Sequence, residues 1–332
     1  MGRLTTYTSR RIVATMDRDR GGGMADGGLT AGVIGLGSMG LGAALSLARA
    51  GLPTLGLDLR AEAMEALASA GGTPCRDPAG LAARADVVFV YVVNAAQTES
   101  VLFGDGGAVA AARPGTVFVL CATMAPLDAQ SLCERLAAAG MLAIDAPVSG
   151  GAARAEAGQI SMMAAGPQAA FDRAAPALDA IAETVFRLGE QPGAGARMKV
   201  INQLLAGVHI AAAAEALVLA ASWGMDLAEV HRVIQSCAGN SWMFANRGAH
   251  VVEGDYAPRS AVDIFVKDLG LVTEAAAASG APVPLSDTAL ALFREASQQG
   301  LGRLDDAAVA LLLAQRAGVS LPGAQAVEGE TE

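Results

Sequence analysis

The pattern of hydrophobic and polar positions changes character near residue 192. From Leu29 onward, short apolar runs alternate with helical stretches. "LTAGVIGLG" is a compact apolar strand ending in glycines, and "LGAALSLARAG" after it has helical spacing and a glycine stop. "LPTLGLDL" and "AEAMEALASAGG" repeat that strand and helix. "ADVVFVYVV" and "GTVFVLCAT" are unbroken runs rich in β-branched residues, as in strands buried on both faces, and "MLAIDAPVSGG" is a further strand. Strands alternating with helices predict βαβ units and a parallel sheet.

Past Pro192 the pattern is helical, over roughly 195–223, 226–237, 261–279, 284–299 and 305–316, with turn residues in "GNS", "EGDYAPRS", "SGAPVPLS" and "GLGR" between. The expected division is an α/β domain over 29–192 and an all-α domain over 193–322, flanked by disordered tails at 1–28 and 323–332. No signal peptide is visible, and Met24 offers an alternative start just ahead of the first strand. The apolar run from Leu204 to Trp223 has the length of a membrane span. Alanine dominates it and His209 and Glu215 interrupt it, so a buried helix is expected and no membrane partner.

Composition narrows the chemistry. Hydrophobic residues are 53% of the 332 and aromatics only 4%, so two cores built of Ala, Val, Leu and Ile are expected. The net charge is −10 with scattered basic residues, which argues against a nucleic-acid surface and leaves an anionic small molecule open. Cys75, Cys121, Cys133 and Cys237, with His209, His231 and His250, show no metal-ligand spacing. No metal is expected, and the thiols read as reduced, in keeping with a cytoplasmic chain.

"GLGSMG" sits where the first strand gives way to the first helix. Its Gly35, Gly37 and Gly40, with Leu36, Ser38 and Met39 between them, form the G-x-G-x-x-G turn of a dinucleotide site. The second strand ends at Asp58, 18 residues after Gly40, where a carboxylate accepts bonds from ribose hydroxyls. That charge disfavours the 2′-phosphate of NADP, so NAD is the expected cofactor. Arg60, two residues on, leaves a phosphate partner conceivable. The fold class expected is an α/β Rossmann-type N-terminal domain followed by an all-α C-terminal domain.

Four motifs in order, over about residues 30–320, resemble the β-hydroxyacid dehydrogenase family: "GVIGLGSMG", "DAPVSGGAARAEAGQISMMAAG", "GAGARMKVINQLL" and "FVKDLGLV". The resemblance implies Lys199 as the catalytic lysine and Ser149, Gly150 and Gly151 as binders of the substrate carboxylate. It implies Thr123 and Lys267 on the nicotinamide side, and Asn94 on a loop that meets the cofactor. It also implies a dimer or tetramer. Asn202 and Gln203 match a pair that is Asn–Asn in many members, so Gln203 is a departure. "VVNAAQTESVLFGDGG", "NQLLAGVHIAAAAEAL", "AVDIFVKDLGLV" and "GRLDDAAV" resemble the subgroup acting on four-carbon sugar acids. The expected reaction is oxidation of such an acid, L-threonate first. 3-Hydroxyisobutyrate or tartronate semialdehyde chemistry is the alternative, and a non-catalytic nucleotide-binding scaffold the reading from another class.

Residue chemistry supports the lysine independently. Oxidising an alcohol needs a base, and a lysine in water titrates at about 10.4, too high for that work at neutral pH. Burial disfavours the ammonium and lowers the value. A solitary lysine heading an apolar helix has that environment, although such a lysine also snorkels to solvent in other proteins. Lys199, Asn202 and Gln203 are spaced to share one helix face. Thr123 as a helix cap, Lys267–Asp268 as an exposed pair, and Trp242 to Arg247 as a packing plug stay open as plainer readings.

Overall fold

The computed structural model describes residues 28–324; the rest of the expected N-terminal tail, with Met24, and positions 325–332 lie outside the described residues. The first layer runs β1 (Ala31–Ile34), α1 (Ser38–Arg49), β2 (Thr54–Leu57), α2 (Ala61–Ser69), β3 (Thr73–Pro74), α3 (Pro78–Ala82), β4 (Val87–Val90), α4 (Ala95–Phe103), α5 (Ala108–Ala111), β5 (Val117–Leu120), α6 (Pro126–Ala138) and β6 (Leu142–Asp145). The sheet is parallel throughout, in the order β3-β2-β1-β4-β5-β6. Every residue of β1, β4 and β5 is buried, because helices cover both faces. The order reverses between β1 and β4, and ligand crevices open at that point beyond the carboxyl ends of strands. Ile34, Leu57 and Val90 are in register, so Gly35, Asp58 and Tyr91 emerge side by side on one rim.

A small second sheet follows, which the sequence pattern did not reveal: β7 (Val148–Ser149), α7 (Gly151–Glu156), β8 (Ile160–Ala164), α8 (Gln168–Ile181) and β9 (Ala182–Arg187). β8 is a short methionine-rich run, and β9 is mostly exposed, so neither carries a strand-like apolar signature.

The chain then enters α9 (Ala194–Ser222), followed by α10 (Leu227–Ile234), α11 (Trp242–Glu253), α12 (Val262–Ser279), α13 (Pro284–Gln298) and α14 (Val309–Ala317). Helices α11 to α14 pack around α9 through Leu217, Phe244, Val251, Phe265, Leu269 and Phe293. Phe265 and Phe293 stack with centroids 5.3 Å apart. Among the described residues α9 alone is long and apolar enough to cross a membrane, and here it is the spine of this helical layer. α11 is absent from the expected helices, although Phe244 within it does pack in the core. Its buried face is only Phe244, Gly248, His250 and Val251, too sparse to show as periodicity, and its start is set by Ser241, whose hydroxyl accepts the Phe244 amide at 2.9 Å. The stretch expected as helix from 305 begins with a 3-10 turn, Asp306–Ala308. Leu321 is buried and a Cβ on Gly323 would strike the Gly254 backbone, so the tail boundary expected at 323 falls within packed chain.

Candidate active site

A cavity of about 310 Å³ lies between the sheet rim and helices α9, α11 and α12. Gly37, Ser38, Met39 and Gly40 form part of its wall, with Thr123, the Ser149–Gly151 turn, Lys199, Asn202, Gln203 and Lys267. The structure therefore brings together most of the residues singled out from sequence, from five separate stretches of the chain.

The glycine turn shows what each position is for. Gly35 has φ +90° and a Cβ there would sit 2.6 Å from the Tyr91 carbonyl oxygen. A Cβ on Gly40 would lie 1.9 Å from the Gly35 carbonyl oxygen. Both glycines are demanded by the protein's own packing. Gly37 is different, since a Cβ there would meet nothing within 4 Å. That open space is where a pyrophosphate must approach, and α1 has no side-chain cap to occupy its first amides. The turn fits a dinucleotide on these grounds.

Asp58 is more engaged than the sequence implied. Its Oδ2 accepts the Leu36 amide at 2.6 Å, and its Oδ1 accepts the Arg60 amide at 2.9 Å and Arg60 Nε at 3.0 Å. Burial works to raise its pKa, but the bonds from Arg60 and Leu36 outweigh this and hold it below the ordinary value. Arg60, not Asp58, lines the adjoining pocket beside Leu36, Gly37 and Ser38. Asn94 is in neither wall; its side chain caps α4 by accepting the Gln97 amide at 2.9 Å. Thr123 lines the cavity and does not cap a helix, since α6 takes Ala125 as its N-cap.

Lys199 is buried at 8% exposure and donates from Nζ to the Val148 carbonyl oxygen at 2.8 Å. It does not snorkel. Burial lowers its pKa to about 8, the Lys267 ammonium adds to that, and Asp268 opposes it. Around it runs a chain of side-chain bonds. Asn202 Nδ2 donates to Gln203 Oε1 at 2.8 Å, and Gln203 Nε2 donates to Asp268. Lys267 Nζ donates to Asp268 Oδ1 at 2.5 Å and to the Thr123 carbonyl oxygen at 3.2 Å. Lys267 and Asp268 are thus an inward-facing pair, with side chains 24% and 3% exposed. The longer reach of Gln203 is spent on α12, where it tethers two helices.

Asp145 was not singled out in the sequence, although it stands in "DAPVSGG". It is 1% exposed at the end of β6, and its Oδ2 accepts the Ala196 amide at 3.0 Å. The Gly193 and Gly195 amides also bond to it. Burial raises its pKa to about 6, against the pull of these amides. α9 has no cap of its own, and its Gly193 has φ +87°. Asp145 supplies the missing cap from 51 residues away, and a Cβ on Gly195 would sit 2.5 Å from the Asp145 carbonyl oxygen. The β6–β7 corner therefore grips both ends of the first turns of α9: Asp145 holds the amides and Val148 the lysine. Only a cross-chain acceptor for orphan amides could have signalled this, and such a partner has no local pattern.

The chain matches two family models: the NAD binding domain of 6-phosphogluconate dehydrogenase over residues 30–189, and the NAD-binding domain of NADP-dependent 3-hydroxyisobutyrate dehydrogenase over 193–313. This chain belongs to the β-hydroxyacid dehydrogenase family. It is an oxidoreductase by that membership and carries the family's two-domain, NAD(P)-binding framework. An L-threonate dehydrogenase of Cupriavidus necator is 53% identical over 84% of this chain and 93% of its own length. An enzyme of the same name from Escherichia coli K12 is 50% identical over 85% and 93%. A crystal structure of a 3-hydroxyisobutyrate dehydrogenase from Salmonella typhimurium is 49% identical, covers 86% of this chain and 99% of its own, and superposes with a TM-score of 0.82.

Proposed function

We propose that the protein oxidises a four-carbon sugar acid, L-threonate first, to its 2-oxo acid, with NAD as hydride acceptor. The observation that carries this reading is Lys199, buried in a cavity that also presents a dinucleotide turn and the Ser149–Gly151 turn. The relatives named L-threonate dehydrogenase at about half identity support the substrate class.

The bound nicotinamide supplies acceptance of a hydride. The remaining work belongs to the chain. Ser149 and the amides of Gly150 and Gly151 hold the substrate carboxylate. Lys199, in its neutral form, takes the hydroxyl proton, and its bond to the Val148 carbonyl fixes Nζ beforehand. Asn202 bears on the substrate's hydroxyls, while Gln203 holds α9 against α12. In the opposite direction the ammonium returns the proton. Gly35, Leu36, Gly37, Ser38, Met39 and Gly40 carry the pyrophosphate; Thr123 and Lys267 border the nicotinamide side of the cavity. The assignment of Asn94 to the cofactor draws no support from its capping bond.

The preference for NAD rests on the charge at Asp58 and on Arg60 being already engaged. Arg60 donates to Asp58 and, at 2.7 Å, to the Leu36 carbonyl, so part of its guanidinium is committed within the protein. Self-association as a dimer or tetramer and a cytoplasmic location complete the reading.

The test is a screen of NADH formation with L-threonate, D-threonate, erythronate, 3-hydroxyisobutyrate and glycerate, repeated with NADP. The expected result is highest kcat/KM with L-threonate and NAD. A higher value with 3-hydroxyisobutyrate or glycerate moves the enzyme to the alternative substrates. Cofactor binding without turnover of any acid supports the scaffold reading instead.

A further inference from the structure

Gln203 is committed to Asp268, which leaves the opposite wall of the cavity to read the far end of a substrate. That wall carries Arg247 on α11 and Ser260 ahead of α12. Arg247 is anchored rather than loose. Its Nε donates to Asp306 Oδ1 at 2.5 Å, an Nη donates to Asp306 Oδ2 at 3.2 Å, and the other Nη donates to the Asn246 side chain. Asp306 is wholly buried, and its own amide donates to the Ser260 carbonyl oxygen at 2.7 Å. Asp306 therefore holds both parts of this wall, Arg247 through its carboxylate and the Ser260 backbone through its amide.

A guanidinium has five N–H donors. Asp306 and Asn246 take three of those on Arg247, and the other two meet no acceptor among the described residues. The side chain is 11% exposed and lines the cavity. It also borders a space of about 10 Å³ between α9 and α11, walled mainly by aliphatic groups and with room for one water at most. A buried ion pair adds little stability over an apolar pair of the same volume, so the placement of this one bears on what it offers the cavity. Asp306 neutralises Arg247, and Asp255 pairs with the neighbouring Arg259, so each cation of this wall has its own carboxylate. Such a wall matches uncharged hydroxyls better than a second carboxylate. An acid ending in a methyl group would leave the two donors dry and unpaired, a penalty that rejects it.

We propose that Arg247, positioned by Asp306, is the specificity-determining residue of the cleft: it donates to the hydroxyl at the end of the substrate remote from the carboxylate, and so selects four-carbon polyhydroxy acids over shorter or methyl-bearing hydroxy acids. The proposal rests on the sugar-acid reading above and adds the group that measures substrate length.

The experiment compares kcat/KM for L-threonate, glycerate and 3-hydroxyisobutyrate in the wild type, in Arg247→Met, and in the double variant Arg247→Met with Asp306→Asn, which leaves no lone buried charge. Loss of charged-donor bonds to one hydroxyl lowers the L-threonate value by about 10- to 100-fold. The two other acids change by less than about threefold, and NADH affinity is retained. A parallel fall for all three acids makes Arg247 a scaffold residue and overturns the assignment. So does an L-threonate preference that survives in both variants, which leaves the substrate reading standing. A wild type that prefers glycerate or 3-hydroxyisobutyrate overturns the substrate reading itself, and this assignment with it.

Discussion

Lys199 changes identity with its surroundings. In water its amine would be almost wholly protonated at neutral pH, and burial brings the pKa to about 8. The neutral amine is the base, and its fraction grows as pH rises through that value. The rate of alcohol oxidation is therefore expected to climb with pH and to reach half its plateau near 8 in a kcat/KM profile. A profile that is flat between pH 7 and 9.5 removes Lys199 from the role. Lys199→Met is expected to lower kcat by roughly 10²–10⁴-fold while NADH binding is unchanged by fluorescence titration. Gln203 shows the converse lesson. Its identity as an unusual amide was visible, but its job was not, because Asp268 lies 65 residues away.

At the scale of elements, α9 is held at its start by a carboxylate from another layer. Removing it in Asp145→Ala strands the first-turn amides and is expected to cost about 1–2 kcal/mol, the range for loss of a helix cap. Calorimetry should show a melting point lower by a few degrees, and kcat should fall because Lys199 rides on that turn. NADH affinity should hold, since the glycine turn is on the far side of the rim. Asp145→Asn keeps an acceptor and should recover most of both losses. Equal melting points for the wild type and the Ala variant would mean that the cap contributes nothing. The same scale explains α11: a helix whose buried face includes a glycine and a histidine offers little periodicity, and its local signs were the capping Ser241 and the left-handed Gly254 at its end.

Across the whole molecule, α9 presents two faces. One carries Ala196, Lys199, Gln203 and Leu217 inward; the other leaves Met198, Ile201, Leu205, Leu219 and Trp223 exposed, the last at 70%. A continuous apolar stripe of this kind on a folded surface marks an interface. Self-association is the expected consequence, and a two-fold pairing would bury the same stripe twice. Sedimentation should find no monomer at micromolar concentration, and Leu219→Glu with Trp223→Glu should shift the wild-type species toward monomer. A monomeric wild type would refute the pairing.

Local pattern alone was enough for the parallel sheet, the helical second half, the glycine turn and the burial of Lys199. Those features depend on the spacing of apolar residues and on glycines whose steric needs lie within a few positions. The turn at Gly35, Gly37 and Gly40 is legible because strand, turn and helix are contiguous. The tertiary structure decided the rest: that Asp58 is shared with Arg60, that Asn94 caps a helix, that Gln203 serves α12, that Asp145 holds the first amides of α9, that the Val148 carbonyl holds Lys199, and that Asp306 holds Arg247. Each of these is a choice of hydrogen-bond partner. A buried polar group must find one, but which one depends on chain segments that meet only after folding, and no spacing along the sequence encodes that meeting.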